Sequence, residues 1–368
     1  MSERIYLSPP DLSGNEARYI QEAVASNWIA PFGPMLESLK NKLQAITGSS
    51  FVEPVNSGTS AMHLALLALN IQEGDVVFCP TFTFAASVFP VLYQKAKPIF
   101  IDSELDTWNM DPELLEQAIL DAIEQKLPIK AIVVVHIYGF PAQINRIKRI
   151  AQKYKLYIIE DAAESLGSTI QGIQTGTFGD VGIVSFNGNK IVTGGSGGAV
   201  LTDNVLLIEK VSKLSNQSKE DKPYYEHFEV GYNYRMCNIN AAIVLGQLEQ
   251  LNEKIVKKKQ IRAWYKEHLK SFARVKMIQG EEDNAWLTCV EIPSTSSPEK
   301  IVACLEKENI ESRRLWNPMH QQPVFKEYTA YLNGHADSIF STGICLPSGT
   351  KLLEKDIIHI SDIIKRSL

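Results

Sequence analysis

Through the middle of the chain, short apolar runs alternate with longer stretches in which apolar and polar residues mix at helical spacing. The runs at residues 76–79, 98–101, 131–136, 156–160, 181–186 and 199–202 are rich in Val, Ile and Phe and nearly unbroken by polar residues. Strands buried on both faces read this way. Between several of them lie amphipathic stretches at 60–68, 112–123 and 144–154. Strand–helix alternation of this kind predicts an α/β fold whose large, mostly parallel sheet carries helices on both faces. Helix starts are marked as well. Ser57-Gly58-Thr59-Ser60 offers hydroxyl caps to an Ala/Leu-rich helix, and Asp111-Pro112-Glu113 sets a capping carboxylate before a proline at the first helical position.

The pattern changes near residue 240. Residues 241–265 predict one or two long helices, with Leu245, Leu248 and Leu251 on one stripe. Lys254, Lys257, Lys258 and Lys259 are expected on a solvated outer face. A polar loop at 294–298 precedes another helix at 301–308. This predicts a large domain over 1–245 and a smaller C-terminal α/β domain over 246–368, a division that 368 residues can support. No internal repeat or low-complexity segment appears, which argues against a solenoid.

Composition narrows the partners. A formal net charge of −5 argues against nucleic acid or an anionic membrane surface as the main partner, yet leaves local phosphate binding open. Cys79, Cys237, Cys289, Cys304 and Cys345 are scattered and include no CxxC pair, so neither a disulfide frame nor a metal site is expected. Residues 1–6 lack a signal-peptide core, and no run of 18 apolar residues occurs. A cytoplasmic location is the expectation.

Ligands of open parallel sheets gather beyond the carboxyl ends of the strands, and four loops there carry chemistry. Asn56-Ser57-Gly58-Thr59-Ser60 opens a helix, where free N–H groups and the helix dipole favour phosphate, though the same residues serve as an ordinary cap. In Ile159-Glu160-Asp161-Ala162-Ala163-Glu164 a carboxylate ends a strand, where it can hold a proton on a heterocyclic nitrogen, bind a metal or ribose, or cap the next segment. Ser185-Phe186-Asn187-Gly188-Asn189-Lys190 sets an amine just past a strand, beside the glycines of 194–198. A lysine so placed suits imine chemistry, because its amine can reach a carbonyl carbon and later swing away as a free base. The glycines fit neither GxGxxG nor a P-loop, which argues against a dinucleotide or ATP reading. Gly231-Tyr232-Asn233-Tyr234-Arg235-Met236 is the fourth loop.

Taken in order, these loops resemble the DegT/DnrJ/EryC1/StrS sugar aminotransferases, of the aspartate-aminotransferase (fold type I) architecture. The resemblance runs from Leu7-Ser8-Pro9-Pro10 to Leu346-Pro347-Ser348-Gly349-Thr350. It includes Asn56-Ser57-Gly58-Thr59, Pro80-Thr81-Phe82-Thr83-Phe84, His136-Ile137-Tyr138-Gly139, the 160–164 loop, Ser185-Phe186 with Lys190, and Gly231–Arg235. One departure stands out: many members carry Gly-Glu-Gly-Gly where this chain has Gly195-Ser196-Gly197-Gly198.

The resemblance implies pyridoxal 5′-phosphate (PLP) held as a Schiff base by Lys190, with Asp161 on the ring nitrogen and Phe84 against one ring face. Glu164 is implied near the phenolic oxygen. Gly58, Thr59, Ser185 and an Asn233 from a second subunit are implied for the phosphate, which makes the protein a homodimer with shared sites. Arg235, Arg314 and His320 are candidates for the substrate diphosphate or the donor carboxylate, and Trp316 is expected in the core rather than on a nucleobase. Within the family, Asn187–Ile191, Arg314-Leu315-Trp316 with Met319-His320, and Ala330–Gly334 resemble the bacillosamine-pathway subgroup. That subgroup aminates C4 of UDP-4-keto-6-deoxy-N-acetylglucosamine with glutamate as donor. GDP-perosamine synthases are similar around Lys190 and Glu164. The rivals are a C3 aminotransferase, a GDP- or dTDP-sugar enzyme, and a non-catalytic regulator on the same fold. Lys190 itself argues against a related dehydratase, in which His replaces the lysine.

Overall fold

In the computed structural model, which describes residues 3–12, 14–277 and 282–368, an eight-stranded sheet forms the centre. Met1 and Ser2 of the opening segment lie outside the described residues. In chain order the strands are β1 (Phe51–Val55), β2 (Val76–Pro80), β3 (Lys97–Ile101), β4 (Ile129–Val135) and β5 (Tyr157–Asp161). A small hairpin, β6 (Thr169–Ile170) and β7 (Ile173–Gln174), precedes β8 (Val181–Ser185) and β9 (Gly198–Thr202). Then come β10 (Arg274–Val275), β11 (Thr288–Glu291), β12 (Arg313–Arg314), β13 (Ala330–Tyr331) and β14 (Gly343–Leu346). The central order is β1-β9-β8-β5-β4-β2-β3-β13. Pairing from β8 through β13 is parallel, and only β9 runs against the rest.

All six strands expected from the apolar runs are present. β1 went unread because Glu53 and Pro54 interrupt its pattern. Both are accommodated at the sheet edge, where a proline costs no central ladder bond and the buried Glu53 carboxylate meets Lys40 Nζ at 3.1 Å.

Successive residues of a strand point to opposite faces, and here both faces are apolar. Val77, Val133 and Ile159 enter one core with the helix Gly58–Ala68, while Phe78, Ile132, Val134 and Ile158 enter another with Ile119 and Ile147. A third cluster joins β11 and β14 to the helices Leu251–Leu269, Pro298–Lys307 and Glu354–Ser367, through Tyr265, Val290, Leu305, Ile344 and Ile360. No helix among the described residues is long and apolar enough to cross a membrane.

The region expected to hold one or two long helices holds two, Asn238–Leu248 and Leu251–Leu269. Its lysines correct the expectation of a solvated face. Lys254 and Lys258 are buried, and with Arg262 they form a stripe at every fourth position. That face packs against loop carbonyls rather than water. Lys258 Nζ donates to the carbonyls of Trp286 (3.0 Å) and Ser348 (2.8 Å), and Arg262 pairs with the buried Asp283 at 2.6 Å.

Candidate active site

Beyond the carboxyl ends of β5 and β8, with the start of the helix Gly58–Ala68 between them, lies a cavity of about 250 Å³. Lys190, Asp161, Glu164, Ser185, Gly58, Thr59 and Phe84 all line it. Among the described residues of its wall, Lys190 is the one cation.

Asp161 closes β5 and is buried. Its Oδ2 accepts from Ser87 Oγ at 2.7 Å and its Oδ1 from the Ala163 amide at 3.0 Å. Thr83 Oγ1 lies 2.8 Å from Ser87 Oγ, so a hydroxyl pair backs the carboxylate. Burial pushes the Asp161 carboxyl up from its ordinary value, and the two hydrogen bonds and the Lys190 charge pull it only part of the way back. A carboxylate held in this way gains from a cationic partner.

Glu164 Oε2 accepts from the Tyr138 amide at 2.6 Å, and Oε1 stands 3.4 Å from Lys190 Nζ. Burial raises this carboxyl too, with Asp161 adding to the rise and Lys190 opposing it. Lys190 follows β8 on a turn closed by its own N–H to the Asn187 carbonyl at 3.0 Å. Across the cavity, Ser57 caps its helix by accepting from the Ser60 amide, leaving the first amides, at Gly58 and Thr59, without intrahelical partners. A Cβ at Gly58 would stand 3.0 Å from Ser185 Cβ, so glycine keeps this corner open.

Phe84 leaves about half its surface (52%) uncovered while lining the cavity. Trp316 is not the core residue expected. It is half-buried on the same wall, 5.2 Å from Phe84 between ring centroids and stacked on Tyr138 at 5.7 Å. Ser196, which replaces the common glutamate, ties its loop down through Oγ to the Asn56 carbonyl at 2.6 Å.

Four candidate residues do not line this cavity, and for Asn233 that accords with its expected place in a second subunit's site. Arg314 is engaged by Glu299 and the Phe340 carbonyl and lies over the Phe340 ring, so its charge does not face the cavity. Both ring nitrogens of His320 are taken, Nδ1 by Thr81 Oγ1 at 2.7 Å and Nε2 by Asp337 at 3.1 Å. Arg235 sits in a bridge to Val55, and the main-chain carbonyl of the exposed Asn233 accepts from Asn56 Nδ2 at 3.2 Å; neither residue lines the cavity of its own chain. Conversely, Thr83, Ser87 and Trp286 line it without having been given a role, beside Ser57, Asn187, Asn189 and Ser196 of the loops read above. Thr83 sits inside the Pro80–Phe84 motif and Ser87 one turn beyond, a legible signal. Trp286 stands 97 positions from its partner Asn189, and nothing local marks it.

An amine, a buried carboxylate and an open aromatic face around one cavity, with free helix amides at one end, fit a flat, anionic, carbonyl-bearing cofactor such as PLP. That combination on a parallel sheet defines an amino-group transferase of the PLP class. The chain belongs to the DegT/DnrJ/EryC1/StrS aminotransferase family, whose model matches residues 10–365. It is 43% identical to EpsN of Bacillus subtilis, a provisionally assigned pyridoxal phosphate-dependent aminotransferase, over 99% of this chain and 96% of that one. It is 36% identical to the GDP-perosamine synthase of Escherichia coli O157:H7, over 96% of each. A DegT DnrJ EryC1 StrS aminotransferase from Brucella abortus, known from its crystal structure, superposes with a TM-score of 0.90 at 31% identity, over 96% of this chain and 95% of that one.

Proposed function

We propose that this chain moves the amino group of glutamate to C4 of a nucleotide-linked 4-keto-6-deoxy sugar, with UDP-4-keto-6-deoxy-N-acetylglucosamine as the acceptor. The observation that carries this reading is the pairing, on one cavity, of an amine backed by Glu164 with the buried Asp161 carboxylate. Bound PLP supplies the electron sink that lets the donor carbon give up its proton. Lys190 would hold the cofactor through its amine, and that amine, once released, takes the proton and returns it at the neighbouring carbon. Arginine could do neither, because it stays protonated. Asp161 would hold positive charge at the ring nitrogen, Phe84 would cover a ring face, and Gly58, Thr59 and Ser185 would hold the phosphate.

The second subunit is part of this reading. Asn233 is to complete a neighbour's phosphate site, and residues beside it offer apolar surface for such a contact: Tyr224, Tyr225, Phe228 and Val230 are exposed at 59–81%. Arg235 and His320 are kept as contacts of that assembled site or of the bound substrate, and Arg314 would first have to leave Glu299. A large domain over 1–245 and a smaller one over 246–368 are kept as part of this reading. The separate third core, entered at Ile261, supports a C-terminal unit, while Leu248 and Leu251 still pack in the first core. The location we propose is the cytoplasm. A GDP-linked acceptor is the second reading, favoured by the 36% identity to a GDP-perosamine synthase. Incubating the enzyme and glutamate with a panel of nucleotide 4-keto and 3-keto sugars, read by mass spectrometry, separates the two. A mass increase expected for amination is predicted first for the UDP-linked 4-keto sugar; amination of the 3-keto compounds alone would defeat the proposal.

A further inference from the structure

Trp286 is tied to the reactive lysine twice. Its ring face lies 4.1 Å from Lys190 Nζ, within cation–π range, and its indole N–H donates to the carbonyl of Asn189, the residue before Lys190, at 2.8 Å. The backbone that presents this ring is itself held from several sides. The Trp286 amide donates to Asn284 Oδ1 at 2.9 Å, and its carbonyl accepts from Lys258 at 3.0 Å. Asn284 Nδ2 donates to the carbonyls of Glu164 and Leu166, both at 2.9 Å. The turn is thus anchored to the main chain of Glu164, the other group that touches the lysine amine. Ala285, just before the tryptophan, is buried with φ +51°. A side chain in that left-handed region costs energy and persists only where its surroundings enforce it. The strain and the bonds together serve to aim one ring.

We propose that Trp286 is a positioning residue whose ring face seats Lys190 while it is free of the cofactor and protonated, with Glu164 Oε1 as the second contact. The proposal rests on the reading of Lys190 as the cofactor-bearing lysine and adds what that reading lacks, a place for the released amine. Without a seat, a lysine on a glycine-flanked loop spreads over many rotamers, and its return to the reacting carbon is slowed by that spread. On the ring, the ammonium stays close, desolvated on one side, and aimed.

The test reads Lys190 in the full-length protein freed of cofactor, by acylation with acetic anhydride at pH 8 and peptide mass spectrometry. Exposed Lys351 serves as the internal reference. Because acylation attacks the free amine and not the seated ammonium, Trp286→Leu is expected to raise the relative labelling of Lys190 about tenfold. Trp286→Phe keeps a ring face and is expected to stay within about threefold of the parent. A wall that merely fills volume predicts rises graded by the space vacated and no response to a change in the ring's electrons at constant shape. Replacing the five tryptophans with fluorinated analogues keeps shape and N–H while draining the ring face, and reports even where Trp286→Leu fails to fold. Labelling is expected to climb with each added fluorine. Labelling indifferent to fluorination, or a rise for Phe as large as that for Leu, overturns the seat; a Leu rise above Phe counts for it only when labelling also follows fluorination. Borohydride fixation of added PLP, with mapping of the modified lysine, tests the underlying reading separately: fixation elsewhere sinks that reading whatever the labelling shows.

Discussion

Lys190 and Lys258 are both withdrawn from water, yet they are provided for in opposite ways. Lys190 opens onto a cavity, lies on a loop flanked by glycines, and faces a carboxylate and an aromatic ring. Lys258 stands buried in the middle of a 19-residue helix, and its partners are two main-chain carbonyls. Burial lowers its pKa to about 7, with neighbouring Lys254 adding to the fall. A neutral amine keeps two N–H bonds, one for each carbonyl, so Lys258 stays satisfied after losing its proton. Burial alone therefore does not make a lysine reactive. What distinguishes Lys190 is space in front of the amine, with a carboxylate and an aromatic face rather than main-chain carbonyls as its neighbours.

The sharpest way to break this contrast is Lys190→Ala. Turnover with glutamate and keto sugar is expected to fall more than about a thousandfold, while the denaturation midpoint changes little. Near-parental turnover would remove the basis for the site. Next comes the stripe on which Lys258 lies. Asp283→Ala strands Arg262 as a buried, unpaired charge, and urea denaturation is expected to show a loss of about 3–5 kcal/mol. A loss below about 1 kcal/mol would mean that water reaches the pair. The smallest effect is a slope. Between pH 7 and the ordinary lysine value of 10.5, the folded chain has released the Lys258 proton while the unfolded chain still binds it. Stability then rises with pH, by up to about 1.4 kcal/mol per unit from this group. In Lys258→Met that contribution is expected to vanish, leaving the flatter profile of the remaining groups. An unchanged slope would show that Lys258 keeps its proton in the fold.

The same contrast explains what could be read in advance. The central strands were legible because both faces of the sheet are apolar, so the runs are unbroken. Asp161 and Lys190 were legible because strand ends set them beside small residues in an ordered series of motifs. Lys258 was misread because helical periodicity cannot tell a face turned to water from one turned to loop carbonyls. Arg314 and His320 carry suitable chemistry, but Glu299, Asp337 and Thr81 claim it, and each of these pairings joins different elements of the fold. Trp286 was invisible for the same reason. Its partners belong to other segments, and its own neighbourhood reads as the approach to a strand.

The pairing of β13 with the outer edge of β3 also bears on how the chain is made. During synthesis the main-chain groups along that side of β3 stay open until Tyr331 has left the ribosome, some 230 positions after their own strand. An unpaired strand edge recruits other chains. Nascent protein stalled or cut before residue 330 is therefore sticky along one defined border, and chaperone capture of such fragments is expected to concentrate there.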